Sequence, residues 1–139
     1  MKILLIGSSS DIARNLVDNS NPQFEFIELT STPTHTDQFQ IDVQNEESYP
    51  HIEGEVNGIV YFPGSINLRP FSSLKLSDFQ KDYEINVLGL IKTLKHYHKQ
   101  LSTDSSVVLI SSVAASLGMP YHASISMCKA AIELSLIHI

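Results

Sequence analysis

Five times along this chain a short apolar run gives way to a polar or helical stretch, and that alternation leaves few folds open. Lys2–Ile6 is a continuous apolar run ended by Gly7, the pattern of a strand buried on both faces. Ile12, Leu16 and Val17 then share one helical face, with Ser10 or Asp11 as N-cap. Residues 24–29, 39–43, 58–62 and 105–112 read as four further strands, and 46–52 as a weak helix. Ser77 with Gln80 has capping-box form. It opens the longest predicted helix, to about Leu101, with Phe79, Tyr83, Val87, Leu90, Ile91 and Leu94 near helical spacing. A loop through Gly118 and Pro120 leads to a last helix carrying Lys129. The pattern predicts an α/β chain with a Rossmann-type doubly wound parallel sheet. The ligand crevice of such a sheet lies at the carboxyl ends of the strands, near the first one.

Charge and composition narrow the partners. The 139 residues are enough for one domain with a core, and 42% of them are hydrophobic. Fifteen acidic against nine basic residues give a net charge of −6, which argues against nucleic acid and anionic membranes, since both need basic patches. The lone Cys128 has no internal disulfide partner, fitting a reducing, cytoplasmic setting. No apolar run reaches the length of a membrane span, and the N-terminal run is too short for a signal peptide.

Several positions carry candidate chemistry. The first strand-to-helix turn, Gly7-Ser8-Ser9-Ser10-Asp11-Ile12, is where such folds bind phosphate through backbone N–H groups and a helix N-terminus. Its glycine pattern is thin, and a tight turn with a serine cap explains it equally well. The second strand ends in Leu29-Thr30 without an acidic residue after it, which leaves room for a ribose 2′-phosphate and favours NADP over NAD. No arginine is visible nearby to clamp that phosphate. Asp42-Val43 is either an ordinary strand end or an adenine contact. Asn86 lies inside the long helix, where core packing or a kink is its simpler explanation. His96 and His98 do not share a helix face, so no metal site is expected.

Gly7-x-x-x-Asp11-Ile12-Ala13, Asp42-Val43, Asn86-Val87-x-Gly89, Ser111-Ser112 and Lys129-Ala130-Ala131 occur in that order. With them the chain resembles the short-chain dehydrogenase/reductase family, and most of all its 3-oxoacyl-(acyl-carrier-protein) reductase-type members. The resemblance implies an NAD(P)-dependent oxidoreductase acting on a carbonyl/alcohol pair. By matching position, Asn86, Ser112 and Lys129 take three of the family's four catalytic roles. Ser112 would bond the carbonyl, Asn86 would support a proton-relay water, and Lys129 would hold the nicotinamide ribose. Gly7, Ser9, Ser10, Asp11, Ile12, Thr30, Asp42, Val43, Pro63, Gly64 and Lys129 are the implied cofactor contacts.

The fourth role belongs to a tyrosine four residues before the lysine, and this chain has Ile125 there. The run His122–Ile125 is read as the trait of a subgroup. Tyr121 is the nearest substitute donor, with His122 beside it, although packing against a substrate loop is the simpler account of Tyr121. Tyr61-Phe62-Pro63-Gly64 departs from the family's Asn-Asn-Ala-Gly, keeping only the glycine. Two outcomes are therefore expected: an oxidoreductase with a replaced proton donor, or an inactive dinucleotide-binding homologue with a regulatory or subunit role.

Family members continue past the lysine with two more strands, and they assemble as homo-oligomers. Residues 134–139, LSLIHI, match one reading frame of a transposon-type sequencing adapter. The expectation is an incomplete NAD(P)-binding domain over residues 1–133 followed by a non-native tail. Expressed alone, such a chain is expected to aggregate through its fifth strand, an unprotected sheet edge.

Overall fold

A computed structural model describes residues 1–135, and in it the strands and helices alternate as the apolar periodicity requires. The strands are β1 (Lys2–Ile6), β2 (Glu25–Thr30), β3 (Phe39–Gln40), β4 (Val56–Tyr61) and β5 (Leu101–Leu109). They form one parallel sheet in the order β3-β2-β1-β4-β5. The order reverses between β1 and β4, and the carboxyl ends of these two strands flank the topological switch point. Leu4, Leu5 and Ile6 are fully buried, as the unbroken apolar run of β1 demands.

The chain divides into two units. One comprises Met1–Pro63 and Lys92–Ile110 and holds the whole sheet. Its core is Leu4, Leu5, Ile6, Leu29, Val56 and Ile59. Helix α1 (Asp11–Asn19) is capped by Ser10, whose hydroxyl accepts from the Ala13 amide at 3.1 Å. The expected apolar face of α1 is corrected. Ala13 is buried and Val17 half-buried, while Ile12 and Leu16 are exposed. Positions 13 and 17 stack one turn apart, and 12 and 16 lie on the adjacent stripe.

The second unit comprises Gly64–Ile91 and the residues from Ser111 onward. It holds α2 (Leu76–Tyr83), a π-helical stretch at Glu84–Leu88, the start of α3 (Gly89–Tyr97) and α4 (Ala123–Ser135). The cap of α2 also differs from expectation. The Asp78 carboxylate, not the Gln80 amide, closes the cap, accepting from the Lys75 backbone N–H at 2.9 Å. The predicted weak helix is a single 3₁₀ turn at Glu46–Ser48. β5 starts at Leu101, four residues earlier than the apolar run suggested, and none of its residues is buried. Leu134 and Ser135 belong to α4, and the rest of the expected tail, 136–139, lies outside the described residues.

Candidate functional site

In the first unit the β1–α1 turn is shaped by Gly7, which has φ +79°. A Cβ there would meet Pro63 Cδ at 3.0 Å, so the backbone approaches this proline as only glycine allows. The Gly7 and Ser8 amides both donate to the Leu29 carbonyl, at 2.8 and 3.1 Å. They are thus spent on the sheet, and the helix N-terminus offers the amides of Asp11 and Ile12 instead. The Ser8 hydroxyl is buried with no hydrogen-bond partner, the kind of orphan a bound polar group satisfies. Asp11 is turned to solvent and pairs with Arg14 at 3.4 Å.

A cavity of about 560 Å³ opens beside this turn, lined by Ser8, Ser9, Arg14, Glu28, Thr32 and His35 among others. Arg14 Nη2 donates to the Ser9 carbonyl at 2.6 Å, which holds the guanidinium at the cavity. The reading that no arginine lies near the end of β2 is therefore corrected. Arg14 sits one turn into α1, far from Thr32 in sequence, and only the sheet brings the two together. Its pairing position, three residues after Asp11, was the available signal. Glu28 lines the same cavity, with its carboxylate accepting from Gln38 at 2.8 Å. Thr30 is buried, and its hydroxyl accepts from the Thr32 amide at 3.3 Å. Asp42 folds back onto the Gln44 amide at 2.9 Å, and the Val43 carbonyl accepts from Tyr49.

The second unit gathers the other candidates. Asn86 is fully buried within the π-helical stretch. Its side-chain amide donates to the Asp82 carbonyl at 2.9 Å and to the Ser65 carbonyl at 3.2 Å. The Asp82 carbonyl is the acceptor that Asn86's own N–H would take in an α-helix, so the side chain competes with the backbone just where the ladder shifts to π geometry. Asn86 Oδ1 is buried without a partner. Ser112 caps the short 3₁₀ turn Val113–Ala115, accepting from the Ala114 amide at 3.2 Å. Its hydroxyl proton stays available to a carbonyl oxygen.

On α4, Ile125 is 4% exposed, and Lys129 is buried one turn further on. Burial lowers the Lys129 pKa below the ordinary lysine value, and Cys128 partly opposes the shift. Tyr121 precedes α4, has φ +67° and is 58% exposed, so it does not continue the helix face of Ile125. His122 Nδ1 lies 2.6 Å from the Pro120 carbonyl, so Nδ1 donates there. Gly64 is exposed at the start of this unit.

Asp82 is a residue that sequence reasoning missed. It is fully buried, and its carboxylate accepts from Ser65 Oγ at 2.5 Å, Asn67 Nδ2 at 3.1 Å and Ser124 Oγ at 2.5 Å. An acid inside a helix is ordinarily a solvated residue, so its sequence carries no signal. Among the described residues no group of three acidic, histidine or cysteine side chains is placed to hold a metal ion. None of their helices is long and apolar enough to cross a membrane.

A parallel sheet in this order, with a glycine turn after β1, defines a Rossmann-like α/β fold. A family model described as Enoyl-(Acyl carrier protein) reductase matches residues 16–137, and the chain belongs to this family of short-chain dehydrogenases/reductases. The hydroxynaphthalene reductase of Aspergillus fumigatus is 30% identical over 80 residues, which are 58% of this chain and 29% of that protein. A short-chain dehydrogenase/reductase from Saccharomyces cerevisiae superposes with a TM-score of 0.80 at 17% identity, over 94% of this chain and 61% of its own. The protein ElxO, solved with NADP bound, gives 0.74 at 18% identity, over 94% and 63%. At such identities the structural likeness carries the fold. The chain spans less than two thirds of each of these relatives.

Proposed function

We propose that residues 1–133 are the cofactor-binding part of an NADP-dependent short-chain oxidoreductase. It would interconvert a carbonyl and an alcohol in a small acyl substrate, in the manner of 3-oxoacyl reductases, and its parent protein would act as a homo-oligomer. The observation that carries this reading is the pair of buried polar atoms without partners, Ser8 Oγ and Asn86 Oδ1. The reading gives each a partner: the cofactor for the first, a relay water for the second. Arg14 at the cavity beside Thr32 supports NADP, since a guanidinium fork suits a 2′-phosphate. Glu28 in the same lining is the feature that would favour NAD.

NADPH, when bound, would supply a hydride to the carbonyl carbon. Ser112 donates to the carbonyl oxygen and holds it as negative charge develops there. Lys129 would hold the ribose hydroxyls. The oxygen still needs a proton, and Ile125 has none to give. Tyr121 is the nearest phenol in the sequence. A second reading, an inactive cofactor-binding homologue, is favoured by one observation: the side chain in the proton donor's place is a buried isoleucine.

Titration of the complete gene product with NADPH and NADH tests the cofactor. Turnover of a panel of ketones and aldehydes then separates the two readings. Binding with turnover that disappears in Tyr121→Phe makes Tyr121 the acid. Binding without turnover selects the inactive homologue, and no binding of either nucleotide ends both.

A further inference from the structure

The second unit contains a cavity of about 480 Å³ between the segment after β4 and the loop ahead of α4, within the size range of small-molecule sites. Its walls include Phe71, Leu117, Met119 and Tyr121, all exposed, Phe71 to 75%. Four large apolar side chains open to solvent around one hollow differ from the scattered exposure of ordinary surfaces. Phe71 rests edge-on against Phe79, with centroids 6.1 Å apart, so its ring is braced in place. Arg69 is the one charged residue in the lining, and no carboxylate shares it. Among the described residues Arg69 has no hydrogen bond or ion pair. A guanidinium stays charged at every physiological pH and presents a fork that matches carboxylate and phosphate.

We infer that this cavity takes an amphiphilic anion, with an acyl or aryl body against Phe71, Leu117 and Met119 and an anionic group on Arg69. The inference rests on the oxidoreductase reading and gives its substrate a chemical class: an apolar carbonyl compound carrying a carboxylate or a phosphate. Neutral ketones would fill the walls and leave the guanidinium unused. The two anion sources share one chemistry here, a free carboxylate or a phosphate monoester.

The test is binding without cofactor, followed by NMR on the full chain. The probes are octanoate, octyl phosphate and octanamide, the last a neutral match to octanoate in shape. Both anions are expected to bind about fivefold to tenfold more tightly than the amide, the advantage of one partly solvated charge-assisted contact. The advantage should shrink with added salt. Arg69→Gln should remove it, Arg69→Lys should keep part of it, and Phe71→Ala should weaken all three probes alike. The better-bound anion identifies the source. Equal affinity for octanoate and octanamide overturns the inference. So does an anion preference that survives Arg69→Gln, or shifts that spare the Met119 methyl and Tyr121 ring signals. Because no nucleotide is present, failure here is separable from failure of the NADPH experiment.

Discussion

The carboxylate of Asp82 accepts the Ser124 hydroxyl at 2.5 Å and so fastens α2 to the first turn of α4. The other carboxylate oxygen takes Ser65 and Asn67. Ser65 Oγ also lies 3.3 Å from the Asn86 amide, so one buried anion organises three segments of the second unit. Lys129 and Ile125 stand on the helix it anchors.

Asp82→Ala would leave the Ser65, Asn67 and Ser124 donors buried without an acceptor. The expected loss is about 3 kcal/mol, the scale for stranding buried hydrogen-bonding groups. Asp82→Asn keeps one acceptor oxygen and is expected to lose about half as much. Urea unfolding measures both. A loss below about 1 kcal/mol in the alanine variant would mean that the network is incidental.

Much of the fold was legible because strong local signals agreed with it. The apolar run of β1, the Ser10 cap and the alternation of elements needed no tertiary information. What escaped was decided by partners distant in sequence. The long helix read as uniform because nothing in its pattern shows that the Asn86 amide takes the Asp82 carbonyl. The cap of α2 was placed two residues late because Ser77 and Gln80 offered the same spacing as Lys75 and Asp78. In the site, Asn86, Ser112 and Lys129 were read by resemblance. Arg14 and Asp82 were not, since their surroundings exist only in the folded chain.

Gly7→Ala meets two penalties at once. The backbone sits at φ +79°, and the new methyl would lie 3.0 Å from Pro63 Cδ. Strain of this kind costs about 1–3 kcal/mol. The expected result is a lower melting temperature together with lost nucleotide binding, because the Ser8 hydroxyl moves with the turn. Nucleotide affinity unchanged in Gly7→Ala would remove this turn from the cofactor site.

Arg14→Gln separates the two nucleotides. The Arg14 guanidinium lines the cavity with Thr32 and His35. Losing one charge-assisted contact should weaken NADPH about tenfold and leave NADH within about twofold. The NADPH advantage of the parent should also fall with ionic strength. An Arg14→Gln chain that weakens both nucleotides equally would place Arg14 elsewhere than at the 2′-phosphate.

Tyr121 holds a left-handed backbone at φ +67°, which non-glycine residues adopt at a cost. Asparagine tolerates that region best after glycine, and a β-branched side chain tolerates it least. Tyr121→Asn is therefore expected to raise stability by up to about 1 kcal/mol, and Tyr121→Val to lower it by about 1 kcal/mol. Tyr121→Phe should change stability by less than about 0.5 kcal/mol, since the side chain is largely exposed. The three values from thermal melts also establish whether a loss of activity in Tyr121→Phe is chemical and not a folding defect.

Cys128 provides a pH dependence with a definite sign. Burial, with Asp82 adding to it against Lys129, pushes its thiol from 9.0 up to about 11. The unfolded chain therefore releases this proton first. Below pH 9.0 both states keep it and it contributes no slope. Between 9.0 and about 11 the unfolded state binds fewer protons, so stability falls as pH rises. Lys129 acts in the opposite sense. Its lowered pKa means that the unfolded chain holds the extra proton, and stability rises with pH up to the ordinary value of 10.5. Tyr49, Tyr61 and Tyr97, all raised by burial, add a falling contribution above their ordinary 10.0. Between pH 9 and 10 the tyrosines do not yet contribute, and the difference in unfolding free energy between the parent and Cys128→Ala reports the thiol together with its coupling to Lys129. The parent is expected to lose stability across this window relative to the variant. Alkylation by iodoacetamide should be slow in the folded chain at pH 8 and fast in urea, because a buried, protonated thiol is a poor nucleophile. Parallel pH profiles for the two proteins, or rapid alkylation without denaturant, would show that Cys128 is neither buried nor shifted.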